Sequence, residues 1–249
     1  MDNWNPEQYN RFQNERAQPF WDLADKVDYK GVRRMLDLGC GTGELTEVLQ
    51  AKKRIPHTVG IDSSPAMMEK ALTRKREGLD FQLNDLGRFV PSDKFDLIFS
   101  NAALQWVENH EALFTRILKW LDERGQIAIQ MPYNFDHPSH FLATDVAQEM
   151  KLQIRVPPVL PPETYATFLH RNGFPNPDVT IKVYLHPMKS GHEIVEWTKG
   201  TLLTFYQRQL DLIGYKKFID SYTQRVLAVT GDGPYLYPFK RLFLYGRKS

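Results

Sequence analysis

The chain of 249 residues has a single cysteine, Cys40, so no disulfide can form within it and no cluster of thiolates can hold a zinc ion. No apolar run reaches the roughly 18–20 residues that a membrane-spanning helix requires. An excess of charge is also missing: 32 Lys and Arg stand against 30 Asp and Glu, a formal balance of +2. A nucleic acid as principal partner would call for a basic surface that this balance does not supply. The opening MDNWNPEQYNRF lacks the positive-then-apolar layout of a secretory signal. There is no internal repeat, and no Ser/His/Asp or Cys/His grouping that would mark nucleophilic catalysis. These absences lead us to expect a globular, cytoplasmic protein, a monomer or weak dimer, with neither membrane nor nucleic acid as partner. Its 42% hydrophobic and 25% charged residues are ordinary for that class.

What is present centres on residues 33–46, RRMLDLGCGTGELT. A short apolar run ending at Leu38 is followed by Gly39, Gly41 and Gly43, then by Leu45, Val48 and Leu49 at helical spacing. The pattern predicts a strand, a glycine turn and the start of a helix. Glycines serve where φ must be positive or where a ligand approaches bare backbone, and the first N–H groups of a helix offer it donors. The dinucleotide fingerprint G-x-G-x-x-G fails here, because Glu44 holds the place of its third glycine. Instead an acid, Asp37, stands two residues before the first glycine. A carboxylate there would repel a pyrophosphate and suits a ligand that carries an ammonium group.

Farther along, HTVGI at 57–61 reads as a second strand closed by Asp62, 19 residues beyond Gly43. An acid about 20 residues past a glycine loop is placed to accept from ribose hydroxyls. Ser63-Ser64-Pro65 opens a helix carrying Met67 and Met68. LDFQL at 79–83 is a third strand, followed by Asp85, which is either a ligand contact or a turn aspartate. FDLIFS at 95–100 is a fourth, nearly all apolar, and leads into Asn101-Ala102-Ala103-Leu104-Gln105-Trp106. A helix over about 109–121 and a fifth strand at 125–131 follow. This alternation predicts an α/β fold with a doubly wound, mostly parallel sheet. Ligands of such sheets lie beyond the carboxyl ends of the strands, where Gly39–Gly43, Asp62, Asp85 and Asn101 all fall.

After Met131 the pattern loosens. Residues 132–140, PYNFDHPSH, read as a loop at the same edge; His137 and His140 lack a third ligand, so we expect no metal and read His140 as a hydrogen-bond donor to substrate. A proline-rich connector at 156–162, a helix over 163–171, an alternating strand at 178–185 and a helical stretch over 190–228 come next. RLFLYG at 241–246 is a final strand, expected to pair antiparallel. We therefore expect a helical N-terminal segment at 1–31, whose aromatics cover the core edge or form a lid, and a ligand-binding core at 32–145. Residues 146–235 would complete the core and add a helical cap over about 188–230, and 236–249 would hold the last strand.

With these residues in view the chain resembles the class I S-adenosylmethionine-dependent methyltransferases and, within them, the trans-aconitate 2-methyltransferase family. The resemblance rests on D-L-G-C-G-T-G at 37–43, on Trp4, Asn5, Pro6, Tyr9, Phe12 and Arg16, on GIDSSPAMMEKA at 60–71, LIFSNAALQW at 97–106, IQMPYNFDHPSH at 129–140 and YPFKRLF at 237–243. It implies a seven-stranded Rossmann-like sheet and S-adenosylmethionine as cofactor, with S-adenosylhomocysteine as product. It implies cofactor contacts from Asp37, Gly39, Cys40, Gly41, Gly43, Asp62, Ser63, Met67, Asp85, Leu86, Asn101, Ala102, Gln105, Trp4 and Tyr9. Arg241, His140, Trp106 and Tyr9, and less directly Arg16, would orient a small-molecule carboxylate, which becomes an O-methyl ester without a general base. Two departures stand out. The family's M-P-D-N is Met131-Pro132-Tyr133-Asn134 here, and its T-G-L-R-P run reads Gly200-Thr201-Leu202-Leu203-Thr204, without the arginine. Other acids therefore stay open as acceptors: a malonyl thioester on acyl carrier protein, or an isoprenoid or fatty acid. So does a non-catalytic S-adenosylmethionine-binding protein.

Overall fold

The computed structural model describes the chain from residue 13 onward, and side chains from residue 17. In order, the elements are α1 (Gln13–Ala24), β1 (Arg34–Leu38), α2 (Glu44–Lys53), β2 (His57–Asp62), α3 (Pro65–Leu72), β3 (Leu79–Leu83), β4 (Phe95–Asn101), α4 (His110–Lys119), β5 (Leu121–Pro132), α5 (Pro138–Glu149), α6 (Pro162–Arg171), β6 (Asp178–Met188), α7 (Gly191–Lys199), α8 (Thr204–Gln207), α9 (Leu212–Thr230) and β7 (Tyr235–Arg247). A 3-10 turn, Leu104–Trp106, follows β4. The seven strands form one sheet in the order β3-β2-β1-β4-β5-β7-β6. β1 pairs parallel with β2 and β4, as do β2 with β3 and β4 with β5, whereas β7 runs antiparallel to β5. The order reverses between β1 and β4, and ligands of open α/β sheets bind at such a switch point. Both the α/β class and the antiparallel final strand agree with the expectation from sequence.

Two compact units divide the chain: one comprises Arg16–Pro132, Pro158–Lys182 and Arg241–Ser249, the other includes Tyr133–Pro157 and Val183–Lys240. The first unit's core is the apolar sheet, with Leu36, Leu38, Leu97, Phe99, Ile127 and Ile129 fully buried. Local signals set its helices. Asn109 Oδ1 accepts from Ala112 N at 3.1 Å to cap α4, whose Leu113, Phe114, Ile117 and Leu118 face inward. Ser64 caps α3 just before Pro65. Phe20 of α1 packs edge-on against Phe99, with ring centroids 4.9 Å apart, so this part of the N-terminal segment is core.

The second unit is helical, with Val146, Trp197, Tyr206, Phe218, Tyr222 and Tyr237 in its core. Tyr222 of α9 donates to Ser139 O at 2.9 Å, joining α9 to α5. The sequence reading missed α5, taking 132–140 as loop. His137 caps this helix by accepting from Ser139 N, and Pro138 starts it, so polar residues encode a helix N-terminus. The expected helical stretch over 190–228 is three helices, α7, α8 and α9. β5 begins earlier than Gly125, because Leu121 pairs with Phe95 before a bulge.

Candidate active site

The loop after β1 is built by its glycines. Gly39, Gly41 and Gly43 have φ of +80°, +58° and +73°, values that L side chains rarely adopt. Two of them are also pressed by the protein: a Cβ on Gly39 would lie 2.1 Å from Ala103 Cβ, and one on Gly43 would lie 2.6 Å from the Phe81 ring. Gly41 differs, since a Cβ there would meet nothing within 4 Å. Among the described residues, its Cβ position borders open space. Helix α2 starts at Gly43 with no side-chain cap, so its first-turn amides are not taken by an N-cap side chain. Cys40 is half-buried, and burial raises its thiol far above the ordinary range, so it is inert at neutral pH.

Asp62 closes β2 and fastens this loop. Its Oδ2 accepts from Gly41 N at 2.9 Å and its Oδ1 from Ser64 N at 2.9 Å. Asp37 lies on β1, 2% exposed, and accepts from Thr46 Oγ1 of α2 at 2.5 Å. Burial pushes its carboxyl up to about 7, with Asp62 adding repulsion and the Thr46 bond opposing both. A cation placed beside Asp37 would draw it to the ionised form. At the end of β3, Asp85 is exposed and its Oδ1 accepts from Gly87 N at 2.7 Å, an aspartate turn. Leu86 is half-buried and its carbonyl accepts from Arg116. Ser63 is exposed and Met67 half-buried, whereas Met68 belongs to the core beside Phe81.

The β4 edge adds further polar groups. Ala102 has φ +54°, a strained value for a side-chain-bearing residue, and its amide is held by Gln130 O at 2.9 Å. Asn101 Oδ1 and Gln105 Oε1 are buried with no hydrogen-bond partner among the described residues. Gln105 Nε2 donates to Ala102 O at 2.7 Å, and Trp106, just after it, is 54% exposed. Next to β4, Gln130 of β5 is fully buried and faces Asn101 in register. Arg241 of β7, paired with Pro132, is 4% exposed, and its Nη1 donates to Gln130 Oε1 at 3.4 Å. The registers put Asp37, Asn101, Gln130 and Arg241 on the same face of four adjacent strands, an acid at one end and a base at the other.

The first unit thus brings together Asp37, the glycine loop, Asp62, Asn101, Ala102, Gln105 and Arg241 at strand ends. His140 belongs to the helical unit, where its Nδ1 shares a hydrogen with Ser139 Oγ at 3.2 Å. Burial, His137 and Arg155 together lower its pKa to about 3 against the pull of Asp136, so its imidazole is neutral and offers no counter-charge. Trp4 and Tyr9 lie outside the described residues, as does the side chain of Arg16. Sequence reasoning missed four supports. Thr46 holds Asp37. Ser100 Oγ donates to Leu38 O at 2.7 Å and stitches β4 to β1. His110 bonds both Tyr165 and Leu104 O, pinning the 3-10 turn. Gln130 is the fourth, and its only signal was a polar residue in an apolar strand.

Comparison with known proteins bears on the family and the fold. The model of a family described as methyltransferase domain matches residues 9–177. A trans-aconitate 2-methyltransferase of Klebsiella pneumoniae is 36% identical over 252 residues, covering 100% of this chain and 99% of that one. Another of that name, from Deinococcus radiodurans, is 35% identical over 96% of both chains. The solved YcgJ protein of Bacillus subtilis is similar in fold, with a TM-score of 0.62 at 14% identity, covering 93% of this chain and 98% of that one.

Proposed function

The chain belongs to the S-adenosylmethionine-dependent methyltransferases, and from that premise we propose that its methyl acceptor is a carboxylate of trans-aconitate or an acid of the same build. The observation that carries the acceptor is similarity along the whole chain to relatives bearing that name. The residues present fit the cofactor. Gly41 leaves backbone open to a ligand, α2 starts without a side-chain cap, and Asn101 Oδ1 is a buried acceptor awaiting a donor such as an ammonium.

When bound, S-adenosylmethionine supplies an electrophilic methyl group on a sulfonium. We assign the methionine end to Asp37, the glycine loop and Asn101, the ribose to Asp62, and the adenine to Asp85 and Leu86. Ser63, Met67, Cys40, Ala102 and Gln105 border the same strand ends. Arg241 offsets the acceptor's charge with charge-assisted hydrogen bonds. An acceptor carboxylate is already ionised at pH 7, so it would take the methyl group that bound S-adenosylmethionine would supply without a base from this chain. No proton moves. The chain's task is alignment in a dry site, an effect worth up to roughly 7–11 kcal/mol. His140, neutral in this structure, carries no counter-charge. A cytoplasmic monomer or weak dimer is the setting we propose for this reaction.

A second reading has an observation of its own. Leu202 and Leu203 lie in the helical unit's core within the stretch where the family carries an arginine, which favours an acid with fewer carboxylates. Incubation with methyl-labelled S-adenosylmethionine and trans-aconitate tests the first reading. We expect one labelled monomethyl ester per S-adenosylhomocysteine formed. Ester from a monocarboxylic acid but none from trans-aconitate would support the second reading instead.

A further inference from the structure

Gln130 is fully buried, on a strand whose neighbours in sequence are apolar. Its Oε1 accepts from Arg241 Nη1. A guanidinium only donates, so the amide oxygen must be the atom that faces it. That leaves Nε2 as the amide's donor group, and among the described residues Nε2 has no hydrogen-bond partner. Asn101, directly opposite in register on β4, carries the complementary defect, a buried Oδ1 acceptor with no donor among the described residues. Two paired residues therefore hold an unused donor and an unused acceptor without bonding each other. Buried polar groups are rarely left unmet, and each such group costs about 1–3 kcal/mol. Both are spent where sheet ligands bind, at the carboxyl ends of β4 and β5.

The two defects call for different partners. An orphan amide N–H beside a guanidinium suits an oxygen anion, since both neighbours then donate to it. An orphan amide oxygen on the Asp37 side suits a cation or a hydroxyl. We propose that Gln130 determines acceptor specificity: its Nε2 donates to a carboxylate oxygen of the methyl acceptor, with Arg241 supplying the charge. The inference rests on the reading above that the acceptor is a carboxylic acid. The esterified group has lost its negative charge, so a pair that grips the reacting carboxylate holds the product less firmly and favours its release.

Gln130→Glu separates this role from a structural one. A glutamate still accepts from Arg241 and would serve as well as glutamine if position 130 only braced that arginine. As a donor lost and a like charge gained, it should abolish capture of the acid. Turnover of trans-aconitate, cis-aconitate and citrate would be measured for wild type, Gln130→Glu and Gln130→Leu, with S-adenosylmethionine affinity by calorimetry. We expect Gln130→Leu to raise the acceptor KM about ten- to a hundredfold, the value of a hydrogen bond to a charged group. Gln130→Glu should lose more, and cofactor affinity should stay within about twofold in both. Wild-type turnover by Gln130→Glu would overturn the inference and leave the carboxylate reading intact. Loss of cofactor affinity along with turnover would make Gln130 structural and also overturn it. A wild type that methylates none of the acids would remove the carboxylate reading and this inference with it.

Discussion

The Asp62 carboxylate accepts from the Gly41 amide at 2.9 Å, so the end of β2 holds the one glycine of the loop whose Cβ position is open. Its other oxygen takes the Ser64 amide and orders the start of α3. A residue assigned to a ligand is thus also a clasp. Asp62→Ala should weaken S-adenosylmethionine binding about a hundredfold, because two hydrogen bonds to a charged group go together with the ribose contact. Asp85→Ala removes only an exposed turn bond and should cost about tenfold with little loss of Tm. Calorimetry and thermal melts check both. Equal affinity losses in the two variants would count against the division of roles.

Asp37 makes stability depend on pH. Its folded-state pKa of about 7 lies above the ordinary 3.8, so between those values the folded chain keeps a proton that the unfolded chain has released. The contribution to stability is full below the unfolded value and is lost as pH rises toward 7. Asp37→Asn should flatten this slope in the cofactor-free protein. Wild-type cofactor affinity should instead rise between about pH 6 and 8, as the carboxyl ionises to meet an ammonium. Melts and titrations across that range test the pair, and parallel behaviour of Asp37→Asn would refute it.

The three glycines should separate fold from binding. Gly39→Ala drives a Cβ to 2.1 Å from Ala103 Cβ at φ +80°, so we expect poor folding. Gly41→Ala meets open space, costs about 1–2 kcal/mol in left-handed backbone, and should fold while losing cofactor affinity. Circular dichroism and cofactor titration of the two variants show whether loss of fold and loss of binding part in this way.

How much of this could be read from residues alone depends on distance along the chain. The glycine turn and the Ser64 cap act within a few residues of themselves, and their signals are local, whereas Asp62 was legible from its spacing to the loop although it acts on Gly41, 21 residues away. The alternation of strands and helices was likewise enough for the parallel sheet. Gln130 and Arg241 are 111 residues apart and meet only through the antiparallel pairing of β5 with β7. Thr46 looks like any helix residue until it is seen bonded to Asp37, and Ser100 like any strand residue until Leu38 lies beside it. Helix α5 escaped because a histidine cap and a proline read as loop. Trp4 and Tyr9, expected as cofactor contacts, lie outside the described residues.

Arg241→Lys should behave unlike a conservative change. The buried guanidinium that bonds Gln130, and that we propose grips the acceptor carboxylate, presents a planar fork, which an ammonium cannot reproduce. The acceptor KM should rise about ten- to a hundredfold with cofactor affinity preserved. Loss of cofactor affinity instead would assign Arg241 to the architecture of β7.

The measurement that bears most directly on the whole account is a ranking of acceptors by kcat/KM, with labelled S-adenosylmethionine and wild-type protein. The set would hold trans-aconitate, cis-aconitate, citrate, isopropylmalate, a malonyl thioester and a medium-chain fatty acid. We predict ester formation, highest with trans-aconitate, and no dependence on an added base or metal. Micromolar binding of S-adenosylmethionine with no acid methylated above the protein-free rate would contradict a carboxyl methyltransferase.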